Sequence, residues 1–204
     1  MMGTIDCGGS GGRRERKKAA TRKAIADTAL RLFLEHGYEQ VGVREIAEAA
    51  DVSVTTLFNH FPKGKEALVF DEDGYREAAL VKAVTEREPG STIPAALRSY
   101  LLNFIASIDD RKPHLADFKQ LVQETPALRE YARTMWLRHE QALARALADQ
   151  TGRPADDLTC AAYARFTLEI LSFARTRPDP AAAIDHACAL LAQGWTALAT
   201  EPVN

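Results

Sequence analysis

The chain has 204 residues, of which 46% are hydrophobic and 26% charged, and its net charge at pH 7 is −2. This composition excludes a wholly disordered chain, and no apolar run approaches the roughly 18–20 residues that a membrane span needs. Three cysteines without C-x-x-C spacing, together with an N-terminus that lacks a secretory signal, predict reduced thiols and a cytoplasmic protein.

Positive charge is concentrated near the N-terminus. Residues 13–65 carry eleven Lys or Arg against seven Asp or Glu, whereas residues 66–204 carry fifteen against twenty. Such an asymmetry is expected when one end of a protein meets an anionic partner. Residues 1–15, first Gly-rich and then basic, are predicted to form a flexible tail. The basic run that starts at Arg13 can track phosphates or lie in a minor groove, and a purely solubilising tail is the alternative.

Beyond residue 15 the chain predicts one helix after another, and no segment has the alternating β-branched pattern of a strand. The first helix, over 16–36, has an apolar stripe that includes Ile25 and Phe33, and Gly37 suits a left-handed C-terminal cap. Further helices, separated by Gly and Pro, are predicted over 43–50, 54–61, 65–86, 93–108, 115–124, 127–150, 157–176 and 181–200. The expected fold class is all-α, with about nine helices.

The second and third predicted helices are separated only by Asp51, Val52 and Ser53, which is the spacing of a helix-turn-helix. Ala47 is small enough to lie where the two helices cross, and Asp51 is tolerated at the positive φ of the turn. Ser53 is a good N-cap because its hydroxyl can accept a hydrogen bond from the backbone of the next helix. Residues 16–64 are therefore predicted to form a three-helix DNA-binding domain.

The outward face of the third predicted helix carries polar side chains that can reach base edges or phosphates in a major groove. These side chains share one face at i, i+3 and i+4 spacing and are Thr55, Thr56, Asn59 and His60. Lys63 and Lys65 follow directly and are placed for phosphate contact, and Arg44 is a further candidate. An exposed polar face can also be merely solvated, and His60 can pack against the first helix instead.

Residues 22–70 resemble the DNA-binding domain of the TetR family of bacterial regulators, because G-Y-E, R-E-I-A-E-A-A, V-S-V-T-T-L-F-N-H-F and K-E-A-L occur in the family's order. The resemblance implies a homodimer, an all-helical C-terminal ligand domain, and release of DNA when ligand binds. It also implies a DNA contact at Arg44 and a phosphate contact at Lys65. The recognition-helix contacts that it implies are Thr56, Phe58, Asn59 and His60.

Two departures from the family pattern concern phosphate contacts. Gly42 stands where a Thr commonly caps the second helix, so the cap is weaker and offers no side-chain contact. The segment from Phe61 to Lys65 is one residue longer than usual, so either Lys63 or Lys65 can take the phosphate role. Taken together, the candidate DNA-binding residues are Arg44, Ser53, Thr55, Thr56, Phe58, Asn59, His60, Lys63 and Lys65.

Residues 65–204 are predicted to form the ligand-binding and dimerisation domain. Its candidate pocket residues, which favour an apolar or aromatic effector, are Phe104, Phe118, Leu121, Tyr131, Trp136, His139, Phe166 and Phe173. For each of them an ordinary core position is the alternative. The second histidine of a zinc-binding H-E-x-x-H motif would fall on Leu143, and the five histidines are scattered, so we expect neither a metal ion nor a cofactor.

The last two predicted helices, over 157–176 and 181–200, are apolar over wide faces. A helix of this kind must be covered on several sides. Paired helices from two subunits would provide that cover, and neighbouring helices of a monomer are the alternative.

These observations predict a ligand-responsive transcriptional regulator, a repressor that a small and largely apolar molecule releases from a palindromic operator. The expected partners are double-stranded DNA, that effector and a second copy of the chain, with no membrane. An all-helical enzyme is one alternative, and a protein-interaction adaptor that keeps the helix-turn-helix as a scaffold is another. We expect that the chain is not an enzyme, because no paired carboxylates, nucleophile–base pair or metal ligands have a recognisable spacing.

Overall fold

The computed structural model describes residues 10–109 and 115–200, and within these ranges the chain forms helices and no strands. The predicted all-α class is confirmed. No helix in the described ranges combines the length and the apolar character that crossing a membrane requires. The ten helices of these ranges are α1 (Ser10–His36), α2 (Val43–Ala49), α3 (Val54–His60), α4 (Glu66–Val69), α5 (Asp73–Thr85), α6 (Ile93–Asp109), α7 (Leu115–Glu124), α8 (Pro126–Thr151), α9 (Leu158–Ala174) and α10 (Pro180–Thr200).

Helix α1 begins six residues before the predicted start. Residues 10–15, expected to belong to a flexible tail, are helical, and residues 1–9 of that tail lie outside the described ranges. The charged residues of this segment, Arg13, Arg14 and Glu15, are good helix formers. Arg16 adds a local hydrogen bond, since its Nε donates to the carbonyl of Gly12 at 3.1 Å. The basic run therefore enters the fold as part of a helix.

The single helix predicted over 65–86 is interrupted, and this prediction was wrong. α4 ends at Val69, the following residue Phe70 leaves the helical region with a φ of −115° and a ψ of 46°, and α5 begins at Asp73. Between them the carbonyl of Asp71 accepts a hydrogen bond of 3.0 Å from the Arg22 guanidinium. Because Arg22 donates a hydrogen bond to the Asp71 carbonyl, this carbonyl does not require the backbone N–H four residues later, which would be its partner in a continuous helix. The Arg22 side chain of α1 thus stabilises the break between α4 and α5.

The contacts divide the chain into two compact units, of which the first contains the described residues up to Glu72 together with Asp117–Arg129. α4 packs on α1 and belongs to this unit, beyond the boundary at residue 64 that the sequence suggested. The predicted stripe of α1 is confirmed, because Ile25 and Phe33 are fully buried. Gly37, at φ +85°, takes the left-handed cap position expected of it. On α7, the Phe118 ring packs edge-on against that of Phe70 at 6.0 Å.

The second unit contains the described residues of the ranges 73–116 and 130–204. One part of its core joins α5, α6, α8 and α9 through fully buried side chains such as Val84, Leu143 and Ala164. The other part joins α6, α9 and α10 through Leu101, Leu171 and Ile184. α9 and α10 make extensive contact with each other, and each of them also packs on α6.

Candidate nucleic-acid interface and effector groove

The turn between α2 and α3 has helix-turn-helix geometry. Asp51 has a φ of +52°, the positive value predicted for the turn residue. The Ser53 hydroxyl accepts a hydrogen bond of 3.0 Å from the backbone N–H of Thr56, so the predicted N-cap is confirmed. Ala47 of α2 and Leu57 of α3 are buried where the two helices meet the rest of the unit. The turn at Asp51, the Ser53 cap and the buried apolar side chains thus fix the orientation of α3.

The N-terminus of α2 carries the weaker cap that the sequence indicated. Gly42 precedes the helix in an extended conformation and makes no side-chain cap hydrogen bond. Arg44, in the first turn, is exposed. An exposed cation in the first turn of this helix stays a candidate for contact with a DNA phosphate.

The candidate residues of α3 differ in how accessible they are. Thr55, Phe58 and Asn59 are exposed on one side of the helix. Thr56 is half-buried, and its hydroxyl shares a hydrogen bond of 2.8 Å with the hydroxyl of the Ser53 cap. The side chains free to reach a base are therefore the three exposed ones, whereas Ser53 and Thr56 hold the start of the helix.

His60 lies at the end of α3, against α1. Its side chain is half-buried, and Nδ1 is buried without a hydrogen-bond partner among the described residues. Its carbonyl accepts a hydrogen bond from the Arg22 guanidinium, which also lies 4.0 Å from the ring centroid of Phe61. Burial lowers the pKa of His60, and the positive charges of Arg22 and Lys18 lower it further. Both effects favour the neutral form of the imidazole.

Lys63 and Lys65 have different surroundings. Lys63 is exposed, whereas Lys65 is half-buried and its Nζ donates to the carbonyl of Tyr38. Nζ of Lys65 also lies 4.0 Å from the ring centroid of Tyr38 and 5.3 Å from that of Phe33, and desolvation lowers its pKa. Gly64, between the two lysines, has a φ of +101°, a conformation that accommodates the extra residue of this loop.

The candidate effector residues lie on different helices and differ in how far they are buried. Phe118 and Leu121 are half-buried on α7 in the first unit. Phe166 and Phe173 of α9 are exposed by 57% and 44%, on the side of the helix away from the core. Tyr131 is half-buried on α8. The candidate effector residues follow a regular helical spacing in the sequence, but that spacing does not show which faces of each helix are covered by other helices.

Phe104 of α6 lies among positive charges. The guanidinium carbons of Arg76 and Arg175 lie 5.1 Å and 5.6 Å from its ring centroid. Tyr100 stacks on the same ring at 6.3 Å, and its hydroxyl donates to the carbonyl of Arg76 at 3.3 Å. The surroundings of Phe104 are therefore cationic and aromatic, whereas the sequence suggested a mostly apolar wall.

A groove of about 200 Å³ lies between α8 and α9. It is lined by Arg133, Trp136, Leu137, Glu140, Arg165, Leu168, Glu169 and Ser172. Of the predicted effector residues only Trp136 is among them. Half of the lining residues are charged, and Arg165 lies 3.7 Å from the carboxylate of Glu140. The groove thus offers one indole face within a polar wall.

His139, predicted as a pocket residue, belongs to a buried polar cluster beside this groove. Its Nε2 donates to Asp73 at 2.8 Å, and its ring packs edge-on against Trp136 at 5.9 Å. Arg138 binds the other oxygen of Asp73 and also Glu77, at 2.6 Å. Sequence reasoning missed Asp73, Glu77 and Arg138. The acidic pair at i, i+4 on α5 was visible, but nothing in the sequence connected it with α8.

Comparison with known proteins covers both parts of the chain. The model of bacterial regulatory proteins of the tetR family matches residues 25–76, and that of the MftR C-terminal domain matches residues 91–196. The HTH-type transcriptional regulator TcmR of Streptomyces glaucescens is 33% identical over 153 residues, which are 72% of this chain and 67% of TcmR.

A regulator of Mycobacterium tuberculosis named for mycofactocin biosynthesis, MftR, is 27% identical over 142 residues, 70% of this chain and 71% of MftR. The structure of SmeT in complex with triclosan shares the fold, with a TM-score of 0.55 and 22% identity over 84% of this chain and 91% of SmeT.

The relatives are DNA-binding transcriptional regulators, and the enzyme alternative is not supported. The helix-turn-helix geometry and the matches over both parts of the sequence lead to one conclusion. The chain belongs to the TetR family of bacterial transcriptional regulators, which bind DNA as dimers and take small-molecule effectors.

Proposed function

We propose that this regulator is a repressor that binds a palindromic operator and leaves it when a small molecule binds the second unit. The observation that carries the proposal is the exposed face of α3, with Thr55, Phe58 and Asn59 held in place by the Ser53 cap. A fixed helix with such side chains can read base edges in a major groove. Because bacterial chromosomal DNA lies in the cytoplasm, we propose that location as well.

The exposed side chains suit different features of DNA. Asn59 can bind an adenine edge through two hydrogen bonds, and Phe58 can contact a thymine methyl group. Arg44 of α2 and Lys63, which follows α3, are exposed cations and are assigned to phosphates. Lys65 is assigned a structural role, since its ammonium group is already engaged by Tyr38. In this proposal, specificity comes from α3 and affinity from the cations around it.

Apolar side chains left exposed on the last two helices support dimerisation through this part of the chain. Leu158, Phe166 and Phe173 of α9 and Leu190 of α10 are exposed by 82%, 57%, 44% and 57%, respectively. The opposite faces of both helices are buried in the core of the second unit. We propose that the exposed faces pack against a second copy, which imposes two-fold symmetry on the operator.

The groove between α8 and α9 supports an effector that offers an apolar ring to Trp136 and polar groups to the charged wall. SmeT, which shares the fold, was solved in complex with triclosan. Trp136 packs against His139, which binds Asp73 at the first turn of α5. A ligand that displaces the indole would therefore disturb the beginning of α5.

The contacts continue along the chain from that point. Two residues before Asp73, the carbonyl of Asp71 is held by Arg22, whose guanidinium also binds the carbonyl of His60 at the end of α3. We propose that a shift of Asp73 is passed through residues 71–73 to Arg22 and so to the recognition helix. Ligand and DNA then favour different conformations, and each weakens the binding of the other.

The test is selection of bound duplexes from random DNA, followed by fluorescence anisotropy on the selected sequence. Asn59→Ala should weaken binding to it by about 1–3 kcal/mol and should discriminate less between it and a scrambled duplex. Asn103→Ala, which removes an exposed Asn from α6, is the matched control and should bind as the wild type does. Equal losses on both duplexes for Asn59→Ala would show that α3 does not read sequence.

A further inference from the structure

The N-terminal turns of α1 form an exposed and strongly basic helix. Every residue from 12 to 20 is exposed. This segment carries a single acidic residue, Glu15, and its cations are Arg13, Arg14, Arg16, Lys17 and Lys18. Because the segment is helical, the direction in which each of these side chains leaves the backbone is set by its position in the sequence.

Helical periodicity places several cations of α1 on two opposite faces of the helix. Arg14, Lys18 and Arg22 are four residues apart and lie on one stripe, which continues into the buried residues Ile25 and Ala29. The stripe therefore lies on the face of α1 that packs against the other helices of the first unit. Arg16 and Lys23 lie on the opposite face of the same helix.

Two observations place this stripe beside the recognition helix. The Arg22 guanidinium binds the carbonyl of His60, the last residue of α3. Lys18, one turn earlier, is close enough to help lower the pKa of the His60 imidazole. Arg14 lies one further turn out, about 6 Å from Lys18 along the axis at about 1.5 Å per residue. The positive stripe thus starts at the end of α3 and runs away from it.

The cations of the two faces also differ in their partners. Lys23 forms an ion pair of 2.6 Å with Asp27, and Arg16 donates to the carbonyl of Gly12. In the part of the chain that the structure describes, neither Arg14 nor Lys18 forms an ion pair. Two cations without counter-charges, lying on one stripe of a helix, are suited to an extended anion, because the backbone that carries them is already ordered before the anion binds.

We propose that Arg14 and Lys18 form a phosphate-binding stripe that continues the DNA surface of α3 along the backbone outside the bases that α3 reads. The inference rests on the proposed operator binding and adds to it a contact without sequence preference. The stripe gives affinity through counterion release, so it acts on every DNA sequence alike. A solubilising role for the basic segment would not depend on which face of α1 carries the charge.

The experiment compares Arg14→Gln/Lys18→Gln with Arg16→Gln/Lys23→Gln, which removes the same net charge from the opposite face. The dissociation constants for the selected duplex and for a scrambled duplex of equal length are measured as a function of salt. For the first variant, the slope of log K against log salt should decrease by about 0.9 for each phosphate that is no longer neutralised, on both duplexes. The second variant should retain the wild-type slope, and thermal unfolding should show that both variants remain folded.

A second measurement is the hydroxyl-radical footprint on the selected duplex, which should be shorter at its outer ends for Arg14→Gln/Lys18→Gln only. Equal slope changes in the two variants, or none in either, would overturn the stripe while leaving operator recognition intact. If the wild type binds the selected duplex no more tightly than the scrambled duplex, the proposed function fails. The slopes on the scrambled duplex still decide whether Arg14 and Lys18 bind phosphate.

Discussion

Nε2 of His139 donates to Oδ1 of Asp73 at 2.8 Å, and both side chains are buried. Arg138 binds the second oxygen of the same carboxylate. One carboxylate thus satisfies two donors of α8 from the first turn of α5. Removing it would leave a buried imidazole N–H without a partner.

Asp73→Ala should therefore lower the free energy of unfolding by about 1–3 kcal/mol, the usual cost of an unsatisfied buried polar group. Urea denaturation followed by circular dichroism measures the change. Glu86→Ala, near the other end of α5, removes an exposed carboxylate whose ion pair with Lys82 is also exposed, and should change stability by less than about 0.5 kcal/mol. Equal stability of the two variants would show that the buried cluster contributes nothing to the fold.

The two lysines of the α3–α4 loop should separate in a single comparison. Lys63→Gln should reduce the salt slope of DNA binding by about 0.9, because one phosphate is no longer neutralised, and should leave the melting temperature unchanged. Lys65→Gln should lower the melting temperature, because the ammonium group is held by the Tyr38 carbonyl and two aromatic rings. The opposite pattern would assign the phosphate to Lys65, as the family resemblance implies.

His60 should make stability depend on pH. Its pKa is lowered in the folded state, so between the ordinary value of about 6.5 and that lower value the unfolded chain binds more protons. The free energy of unfolding should consequently fall as the pH drops below about 6.5. Measured at pH 7.5 and 5.5, the decrease should be smaller for His60→Gln than for the wild type. His36→Gln, which removes an exposed histidine from the same unit, should behave as the wild type. An equal decrease for all three proteins would exclude a role for His60.

Dimerisation should depend on the exposed aromatic side chains of α9. Phe166→Glu would place a charge in the proposed interface, and burying an unpaired charge is costly. We expect the dimer dissociation constant to rise at least about tenfold, equivalent to about 1.4 kcal/mol, in sedimentation equilibrium. Tyr75→Glu alters an even more exposed aromatic side chain, on α5, and should leave the dimer intact. A Phe166→Glu protein with wild-type dimer affinity would place the interface elsewhere.

The helix-turn-helix could be predicted in detail because its determinants are local. The positive φ of Asp51 and the cap of Ser53 depend on residues within three positions of them. The break between α4 and α5 could not be predicted, because Arg22 stabilises it from 49 positions away. The second unit was harder for a similar reason. Phe166 and Phe173 follow a regular apolar pattern, but whether such a face is core, pocket wall or interface depends on which helices cover it.

The double hydrogen bond of Arg22 has a consequence for building hybrid regulators from this chain and its relatives. A junction at residue 65, where the sequence suggests a boundary, would take Arg22 from one parent and its acceptor at Asp71 from the other. A junction after Glu72 keeps Arg22, His60 and Asp71 from one parent and starts the other at the first residue of α5. Hybrids joined at the later position should exchange operator specificity between effector domains with fewer compensating substitutions.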